Sequence, residues 1–145
     1  MVTQAIQDTL ETKNVRTVQE TYAAFRANNI PEVLKGFSKD IEWSIPGPAG
    51  ISPLCGTRRG KDQVAEFFKQ LPEFEDIQQF DPREYIAKGD KVVVLGHFKA
   101  RVKATNRTIE SDFVHVFTLR NGQAVQFREY ADTAAELMAY KEITV

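Results

Sequence analysis

The chain has 145 residues, with 19 basic and 20 acidic side chains and a formal net charge of −1 at pH 7. This length fits one domain with a single core. The balanced, dispersed charge argues against a protein that binds nucleic acid or an anionic membrane surface. No apolar run approaches the roughly 18 residues of a membrane-spanning helix, and the N-terminus lacks the basic and apolar segments of a signal peptide. We expect one domain over residues 1–145, a cytoplasmic location, and neither nucleic acid nor membrane as a partner.

The sequence has no pattern typical of a metal or cofactor site. Cys55 is the only cysteine, so an intramolecular disulfide is impossible and a cysteine-based metal cluster cannot form. Only Arg58 and Arg59 follow it closely as cations, which gives little ground for a nucleophilic thiolate. No spacing of histidine and acidic residues suggests a metal site, and the chain has no phosphate-binding loop or dinucleotide fingerprint. We therefore expect neither a metal ion nor a cofactor.

The first third of the chain is predicted to be mostly helical. Residues 1–13 are polar and weakly patterned, which predicts a loosely ordered lead-in. Asn14 is a plausible N-cap, and apolar residues recur at helical spacing between residues 15 and 25. Pro31 suits the first turn of a second, short helix. The alternation of residues 41–45 then predicts the first strand, with Trp43 on its apolar face.

Residues 46–56 form a loop, because they contain three prolines and three glycines, which break both helices and strand pairing. A loop of this length could cover a pocket as a lid, or it could be a plain surface connection, and the sequence leaves both open. A third helix is predicted from Gly60, with an apolar inner face. Pro72 should end it.

The rest of the chain is predicted to form strands joined by tight turns. Strands are predicted over residues 74–80, 83–87, 91–103, 108–119 and 123–130, with hairpin turns at residues 88–90 and 120–122. A last helix should run from Thr133 to about Tyr140, with Asp132 or Thr133 as its cap. Helices followed by strands predict an α+β fold. The long strands should bend into a cone-shaped, curved sheet of antiparallel or mixed pairing, packed against the N-terminal helices around an apolar interior.

A histidine and a carboxylate are predicted to face this interior. His115 shares one strand face with Phe117 and other large apolar residues. On the following strand, Glu129 shares parity with Val125 and Phe127, and it is the only acid that the pattern places inside. An imidazole titrates near neutral pH, and burial would raise the pKa of the carboxyl group. The pair could therefore act as acid and base.

Structural roles stay open for each of these side chains. His115 could be a core histidine bonded to Tyr22, which itself either binds a ligand or only packs. Glu129 could form a salt bridge at the rim of the cone. For Asp132 the pattern favours the role of helix N-cap over that of a ligand-binding residue. The arginines available for that bridge are Arg83, Arg101 and Arg128. The aromatic residues expected both to build the core and to line a pocket are Phe25, Trp43, Phe68, Phe98 and Phe117.

The opposite face of the long strand that begins near residue 91 is also apolar. Val93 and Leu95 share this outer face with His97. An apolar stripe on the side away from the core is what an interface between subunits requires. We expect a homodimer that forms through the sheet.

Five short motifs follow one another along nearly the whole chain. They are Tyr22-Ala-Ala-Phe25, Phe37-Ser-Lys-Asp-Ile-Glu-Trp43, Gly56-Thr-Arg-Arg-Gly60, His115-Val-Phe-Thr-Leu-Arg-Asn-Gly122 and Phe127-Arg-Glu-Tyr-Ala-Asp132. Their order resembles the nuclear transport factor 2-like superfamily and, within it, the SnoaL-like (ketosteroid isomerase-like) branch. The resemblance implies a cystatin-like α+β cone with a deep apolar pocket, commonly assembled as a homodimer. That fold hosts isomerases, cyclases, hydrolases and non-enzymes, so it does not decide the function.

Only some of the family's functional residues have a counterpart in this sequence. The tyrosine of the steroid isomerases corresponds to Tyr22, and their second oxyanion donor falls near His115. Their general-base aspartate would stand close to Ile45, so that base is missing. An acid of limonene epoxide hydrolase and the SnoaL cyclases corresponds to Glu129, which is separated by two residues from Asp132 in the same way.

Two classes of function therefore stay open. One is a cofactor-independent isomerase, cyclase or hydrolase that acts on an apolar carbonyl- or epoxide-bearing ligand, with Glu129 as base and with His115 and Tyr22 as oxyanion donors. The epoxide hydrolase's arginine and aspartate would fall near Gly96 and Phe98, so its water-activating triad looks incomplete. The other class is a non-catalytic module that binds a small lipophile or serves for dimerisation.

Overall fold

The computed structural model describes residues 3–47, 50 and 52–141, and these form four helices and six strands. The helices are α1 Gln4–Arg26, α2 Ile30–Lys35, α3 Lys61–Phe74 and α4 Thr133–Tyr140. The strands are β1 Phe37–Ile45, β2 Gly56–Arg59, β3 Glu75–Lys88, β4 Lys91–Val102, β5 Thr108–Arg120 and β6 Gln123–Ala131. The predicted α+β class is confirmed.

All six strands belong to one curved, open sheet in the order β2-β1-β6-β5-β4-β3. Strands β1 and β6 are parallel and the other neighbours are antiparallel, so the sheet is mixed. The register shifts within the β1–β6, β3–β4 and β5–β6 pairings. Such bulges bend a strand and increase its twist, which accounts for the curvature.

Helix α1 begins well before the predicted start. The expectation of a loosely ordered lead-in over residues 1–13 is wrong for residues 3–13. Thr3 is the N-cap, and its side chain accepts a hydrogen bond of 3.3 Å from the N–H of Ile6. Further along, Glu11 accepts a 2.9 Å hydrogen bond from the N–H of Gly89 in the β3–β4 turn. Polar contacts thus support these first turns, and Asn14 lies inside the helix rather than at its cap.

Two prolines lie inside regular elements where the prediction placed a break. Helix α3 continues past Pro72 to Phe74, because a proline in the last turn gives up only one backbone hydrogen bond. The Lys103 ammonium group donates to the carbonyl oxygen of Pro72. Strand β3 runs without a break where two separate strands are predicted. It accommodates Pro82 because β3 is an edge strand whose register shifts at that point.

The first strands also extend beyond the prediction. Strand β1 begins at Phe37 instead of residue 41. The short strand β2 is not predicted at all, since its polar residues show no alternation of buried and exposed positions. It pairs antiparallel with the end of β1, where the hydroxyls of Ser44 and Thr57 lie 3.0 Å apart.

The core lies between the inner face of the sheet and helices α1 to α3. Helix α1 contributes Val18 and Tyr22, and α3 contributes Phe67 and Phe68. Strands β1, β5 and β6 supply the largest side chains that are fully buried, namely Phe37, Ile41, Phe113, Phe117 and Phe127. The inner face is therefore unusually rich in aromatic rings, and these rings surround the polar residues described below.

His97 lies on the outer face of the sheet, as predicted. Its Nε2 is 2.9 Å from Glu110 and its Nδ1 is 2.8 Å from Asp112, both on β5. The hydrogen bonds to Glu110 and then to Asp112 raise the pKa of His97, since carboxylates stabilise the imidazolium. Val93 and Leu95 share this face and are half-buried. That a second copy of the chain covers the face stays a prediction, which light scattering at micromolar concentration would test.

We expect Gly96→Ala to destabilise the protein by about 1–3 kcal/mol. Gly96 pairs with Phe113 across β4 and β5. A Cβ at this position would overlap the Phe113 ring and would lie 2.6 Å from the carbonyl oxygen of Asp81. The ring cannot move away freely, because it is stacked on His115.

The matched control is Gly36→Ala, whose Cβ would meet the hydroxyl of Thr21 at 3.0 Å, the end of a side chain that can turn. Urea unfolding measures both variants. A loss for Gly96→Ala no larger than that of the control would contradict the packing argument.

Candidate functional site

A cavity of about 130 Å³ lies between the inner face of the sheet and the helices. A bound water needs only about 10–15 Å³, so the cavity has room for a small organic molecule. Most of its wall is aromatic or aliphatic. All nine site candidates from the sequence line it: Tyr22, Phe25, Trp43, Phe68, Phe98, His115, Phe117, Glu129 and Asp132. That these residues bind or catalyse stays a prediction.

Strands β5 and β6 place His115 and Glu129 directly opposite each other. Nε2 of His115 lies 3.0 Å from Oε1 of Glu129, and the histidine is buried. Directly opposed residues on one face of a strand pair are close enough for their side chains to bond. The three arginines that could have paired with Glu129 lie beside other carboxylates. The rim salt bridge considered from the sequence is therefore not formed.

Tyr22, on α1, completes a chain of hydrogen bonds. Its hydroxyl oxygen lies 2.8 Å from Nδ1 of His115. Burial, with smaller contributions from Tyr85 and Glu129, raises the pKa of Tyr22, so the phenol keeps its proton. The core bond between histidine and tyrosine that the sequence allows is present. It coexists with the bond to Glu129, so three residues from three elements form one network.

The chemistry of the three groups determines which atom donates and which accepts in each of the two hydrogen bonds. An ionised carboxylate can only accept, so Nε2–H of His115 donates to Glu129. With a neutral imidazole, which has a single N–H, Nδ1 is then the acceptor for the hydroxyl proton of Tyr22. In this state both protons are used inside the protein, and neither is available to an oxyanion. Within the described part of the chain, the second oxygen of Glu129, Oε2, has no hydrogen-bond partner.

Aromatic rings hold the imidazole in place. The ring of Phe113 stacks on His115 with centroids 4.1 Å apart and 29° between the planes. Phe127 meets the imidazole edge-on at 4.7 Å. An apolar surrounding strengthens each hydrogen bond of a satisfied network and makes a lost one more costly. The network is therefore both rigid and sensitive to the removal of any member.

Glu129 lies on the inner face as predicted, but the alternation along β6 differs from the prediction. The pattern places Val125, Phe127 and Glu129 on the inner face together. In the structure Val125 is an extra residue at the register shift between β5 and β6, and Ala124 is buried instead. The prediction holds for Phe127 and Glu129 and is wrong for Val125, because a bulge interrupts the alternation of a strand.

Glu129 is not the only acid in the cavity wall, and this corrects the prediction. Glu75 and Glu136 also line the cavity. The hydroxyl of Tyr140 donates to Glu75, and Sγ of Cys55 lies 3.3 Å from Oε1 of Glu136. Burial raises the pKa of both acids, that of Glu136 to about 7. A second polar cluster thus faces the cavity from β3 and α4.

The sequence contains a weak signal for each of these two acids. Glu75 shares strand parity with Ile77, which also lines the cavity, and Glu136 stands one helical turn before Tyr140. The pattern is too short to be decisive in either case. Glu75 is the first residue of its strand, and α4 has only eight residues.

The 46–56 loop contributes Leu54 to the cavity wall, and Leu54 and Ser52 are both buried. Residues 48, 49 and 51 lie outside the described residues, so the lid remains a prediction. Burial, followed by the charge of Glu136, raises the pKa of Cys55 to about 12. The thiol keeps its proton at neutral pH, which argues against a nucleophilic role.

Asp132 is the N-cap of α4, as predicted, and accepts a 3.0 Å hydrogen bond from the N–H of Ala135. The cap fixes the start of the helix that carries Glu136. Across the described ranges, no group of three or more His, Cys, Asp or Glu side chains is placed to hold a metal ion. No helix in the described part of the chain is long and apolar enough to cross a membrane.

A family model for the SnoaL-like domain matches residues 18–127. The chain belongs to the SnoaL-like family. A nuclear transport factor 2-like protein from Burkholderia xenovorans is 37% identical, with a TM-score of 0.83 over 90% of this chain and 98% of that one. TerC, crystallised with polyporic acid, is 32% identical, with a TM-score of 0.79 over 90% and 99% of the two chains. An uncharacterised Mycobacterium tuberculosis protein is 24% identical over 119 residues, 81% of this chain and 88% of its own. The predicted superfamily is confirmed.

Tyr22→Phe should lower the free energy of unfolding of this SnoaL-like domain by about 1–3 kcal/mol, because Nδ1 of His115 would lose its donor in a buried site. Tyr130→Phe removes a hydroxyl from a residue that is 51% exposed and should cost little. Urea unfolding at pH 7 compares the two. In the native protein, ¹⁵N NMR should find the imidazole proton on Nε2, and a proton on Nδ1 would contradict the donor order.

Glu136→Gln should change the pH dependence of stability. The folded pKa of about 7 exceeds the ordinary value of 4.5, so between these values the native state binds a proton that the unfolded state has released. The native protein should therefore lose stability as the pH rises from about 5 to 7 and then level off. Relative to it, the variant should gain about 1–2 kcal/mol between pH 5 and pH 8, allowing for solvent screening.

Urea unfolding at both pH values measures this difference. Cys55, Glu75, Glu129 and Tyr140 are the titratable groups near Glu136, and they remain in both proteins. A stability difference that does not vary with pH would show that Glu136 ionises as an ordinary surface carboxyl.

Proposed function

We propose that this domain binds a small, mostly apolar molecule in its cavity and that Glu129 exchanges a proton with it, without a cofactor. The hydrogen-bonded chain from Tyr22 through His115 to Glu129, set in the cavity wall, carries the proposal. It occupies Oε1 of Glu129, and no described residue forms a hydrogen bond with Oε2. The side chain of Glu129 is 22% exposed, so a ligand in the cavity can reach it.

Glu129 acts as the proton acceptor in this proposal, and the other two residues position it. His115 fixes the carboxylate through Nε2–H, and Tyr22 holds the imidazole in one tautomer. This role is narrower than the oxyanion donation expected from the sequence, because both donor protons are already used. A base that is oriented before the ligand arrives contributes about 10²–10⁴-fold to the rate of proton transfer.

The charge of the cavity wall restricts the ligand. Glu75, Glu129, Asp132 and Glu136 line it, and among the described residues neither lysine nor arginine does. Like charges repel strongly where water is scarce, so a neutral ligand is favoured over an anion. The many aromatic rings favour a flat ring system. The similarity to TerC, whose structure was obtained with polyporic acid, supports an aromatic molecule that bears oxygen.

Proton removal from a carbon beside a carbonyl is the reaction that best suits such a site. The C–H bond breaks, its proton moves to Oε2 of Glu129, and the electron pair forms the C=C bond of an enolate. Return of the proton to another carbon makes an isomerase, and attack of the enolate carbon on a second carbonyl makes a cyclase. Epoxide hydrolysis is less favoured, because Gly96 and Phe98 stand where the resemblance would require an arginine and an aspartate.

2-Tetralone tests this proposal, because it is flat and apolar and its α protons exchange with D₂O when it enolises. We expect the protein to accelerate this exchange, followed by NMR, and Glu129→Gln to lower the catalysed rate by about 10²–10⁴-fold. Glu84→Gln changes an exposed carboxyl and should keep the native rate. If Glu129→Gln binds 2-tetralone and still catalyses exchange at the native rate, Glu129 is not the base.

A non-catalytic binding module is the second candidate, and one observation favours it. Both ring nitrogens of His115 already have protein partners, as expected of a structural histidine. Titration with 2-tetralone, followed by tryptophan fluorescence, would measure binding alone. Binding in the cavity together with no catalysed exchange of 2-tetralone would support the binding module over the enzyme.

A further inference from the structure

Trp43 is the only tryptophan of the chain, and it lines the cavity while being 6% exposed. Among the residues that the structure describes, its Nε1 is the one buried side-chain nitrogen or oxygen without a hydrogen-bond partner. A buried donor that stays unpaired costs free energy, so such atoms are uncommon in native proteins and require a cause.

The indole ring is held firmly on several sides. It stacks on Phe127 with centroids 3.8 Å apart and 16° between the planes. Phe37 and Phe67 pack against it with centroids at 5.5 Å, and Phe68 at 5.3 Å. This packing leaves the ring little freedom to turn its N–H toward a protein acceptor. Because Trp43 lines the cavity, a molecule bound there is the partner to test for Nε1.

Trp43 and Glu129 reach the cavity from neighbouring strands. Strands β1 and β6 are parallel, and Trp43 pairs with Phe127. Glu129 follows two residues later on the same face of β6, so the two backbone positions are about 8 Å apart. One small ligand can span this distance. The unpaired donor and the unpaired carboxylate oxygen thus belong to a single cavity.

We propose that Nε1–H of Trp43 donates a hydrogen bond to the carbonyl oxygen of the ligand while Glu129 takes a proton from the adjacent carbon. This inference rests on the function proposed above and names its substrate class, a neutral and otherwise apolar ketone that can enolise. Trp43 is then the oxyanion donor that the network of Tyr22 and His115 does not supply.

The step is balanced within these groups. As the C–H bond breaks, the proton goes to Oε2 of Glu129 and the electron pair moves through the new C=C bond to the carbonyl oxygen. That oxygen becomes negative, and its hydrogen bond from Trp43 becomes a charge-assisted bond, which is shorter and stronger. The donor is fixed before the reaction, so no reorganisation opposes the developing charge.

Two other causes of the unpaired Nε1 give different results. A water molecule in the cavity would accept the N–H whether or not the ligand carries oxygen. A purely structural indole would leave Nε1 unpaired with every ligand. Both are separated from the proposal by two probes with one carbon skeleton, 2-tetralone with its carbonyl oxygen and tetralin without it.

NMR of the native protein is the first test, because a single tryptophan gives a single indole N–H resonance. We expect 2-tetralone to move this ¹H signal downfield by clearly more than tetralin does. Equal shifts with the two probes would assign the bond to water. That result would overturn the proposal. The proposal is also overturned if 2-tetralone does not bind, or if it binds and the indole signal does not move.

Trp43→Phe is the second test, since it removes the N–H and keeps an aromatic ring against Phe127. The affinity for 2-tetralone should fall by about 3–10-fold relative to the affinity for tetralin. Catalysed exchange should fall by about 10²-fold. Using the ratio of the two affinities cancels the general effect of a changed cavity shape. A ratio equal to that of the native protein refutes the contact, and if the variant does not fold, the NMR test decides alone.

The two proposals fail in different ways. A carbonyl-specific indole shift with no catalysed exchange keeps the contact with Trp43 and rejects Glu129 as the base. Exchange that depends on Glu129, without any carbonyl-specific shift, keeps the base and rejects the contact.

Discussion

Nε2 of His115 and Oε1 of Glu129 lie 3.0 Å apart in an interior that is rich in aromatic rings. Burying either group without a partner would be costly, so the fold must bring the two together, and it does so by pairing β5 with β6 in one particular register. Tyr22 satisfies the remaining nitrogen and so ties α1 to the sheet. The two hydrogen bonds thus link α1, β5 and β6 through one histidine.

Much of this arrangement could be predicted from the sequence, but the strand patterns behind the predictions are not equally regular. The regular alternation of β5 predicts the inward position of His115 correctly. The same kind of alternation along β6 predicts Glu129 correctly, although it includes Val125, which is the extra residue of a bulge. Counting pairs back from the turn at residues 121–122 without that bulge would have set Arg128 opposite His115. Short-range patterns do not show a bulge, because it depends on how two strands fit together.

The features that prediction missed are held by contacts between distant segments. Helix α1 starts early because Thr3 caps it and Glu11 bonds to a turn far along the chain. Glu75 and Glu136 look like surface residues in the sequence, and their burial accompanies contacts that join α4 to Glu75 and to Cys55 of the 46–56 loop. The result is a cavity with an acidic group on several sides, in which one carboxyl has a pKa near neutrality.

The parallel pairing of β1 with β6 affects when the cavity can form during folding. The pairing joins Trp43 to Phe127 across more than half of the chain, and contacts of such long sequence separation form slowly, because a large loop must close first. During synthesis, the wall that carries Glu129 cannot dock beside Trp43 until the last strand has left the ribosome. An incomplete chain therefore leaves the aromatic face of β1 uncovered, and apolar surface exposed in this way promotes aggregation.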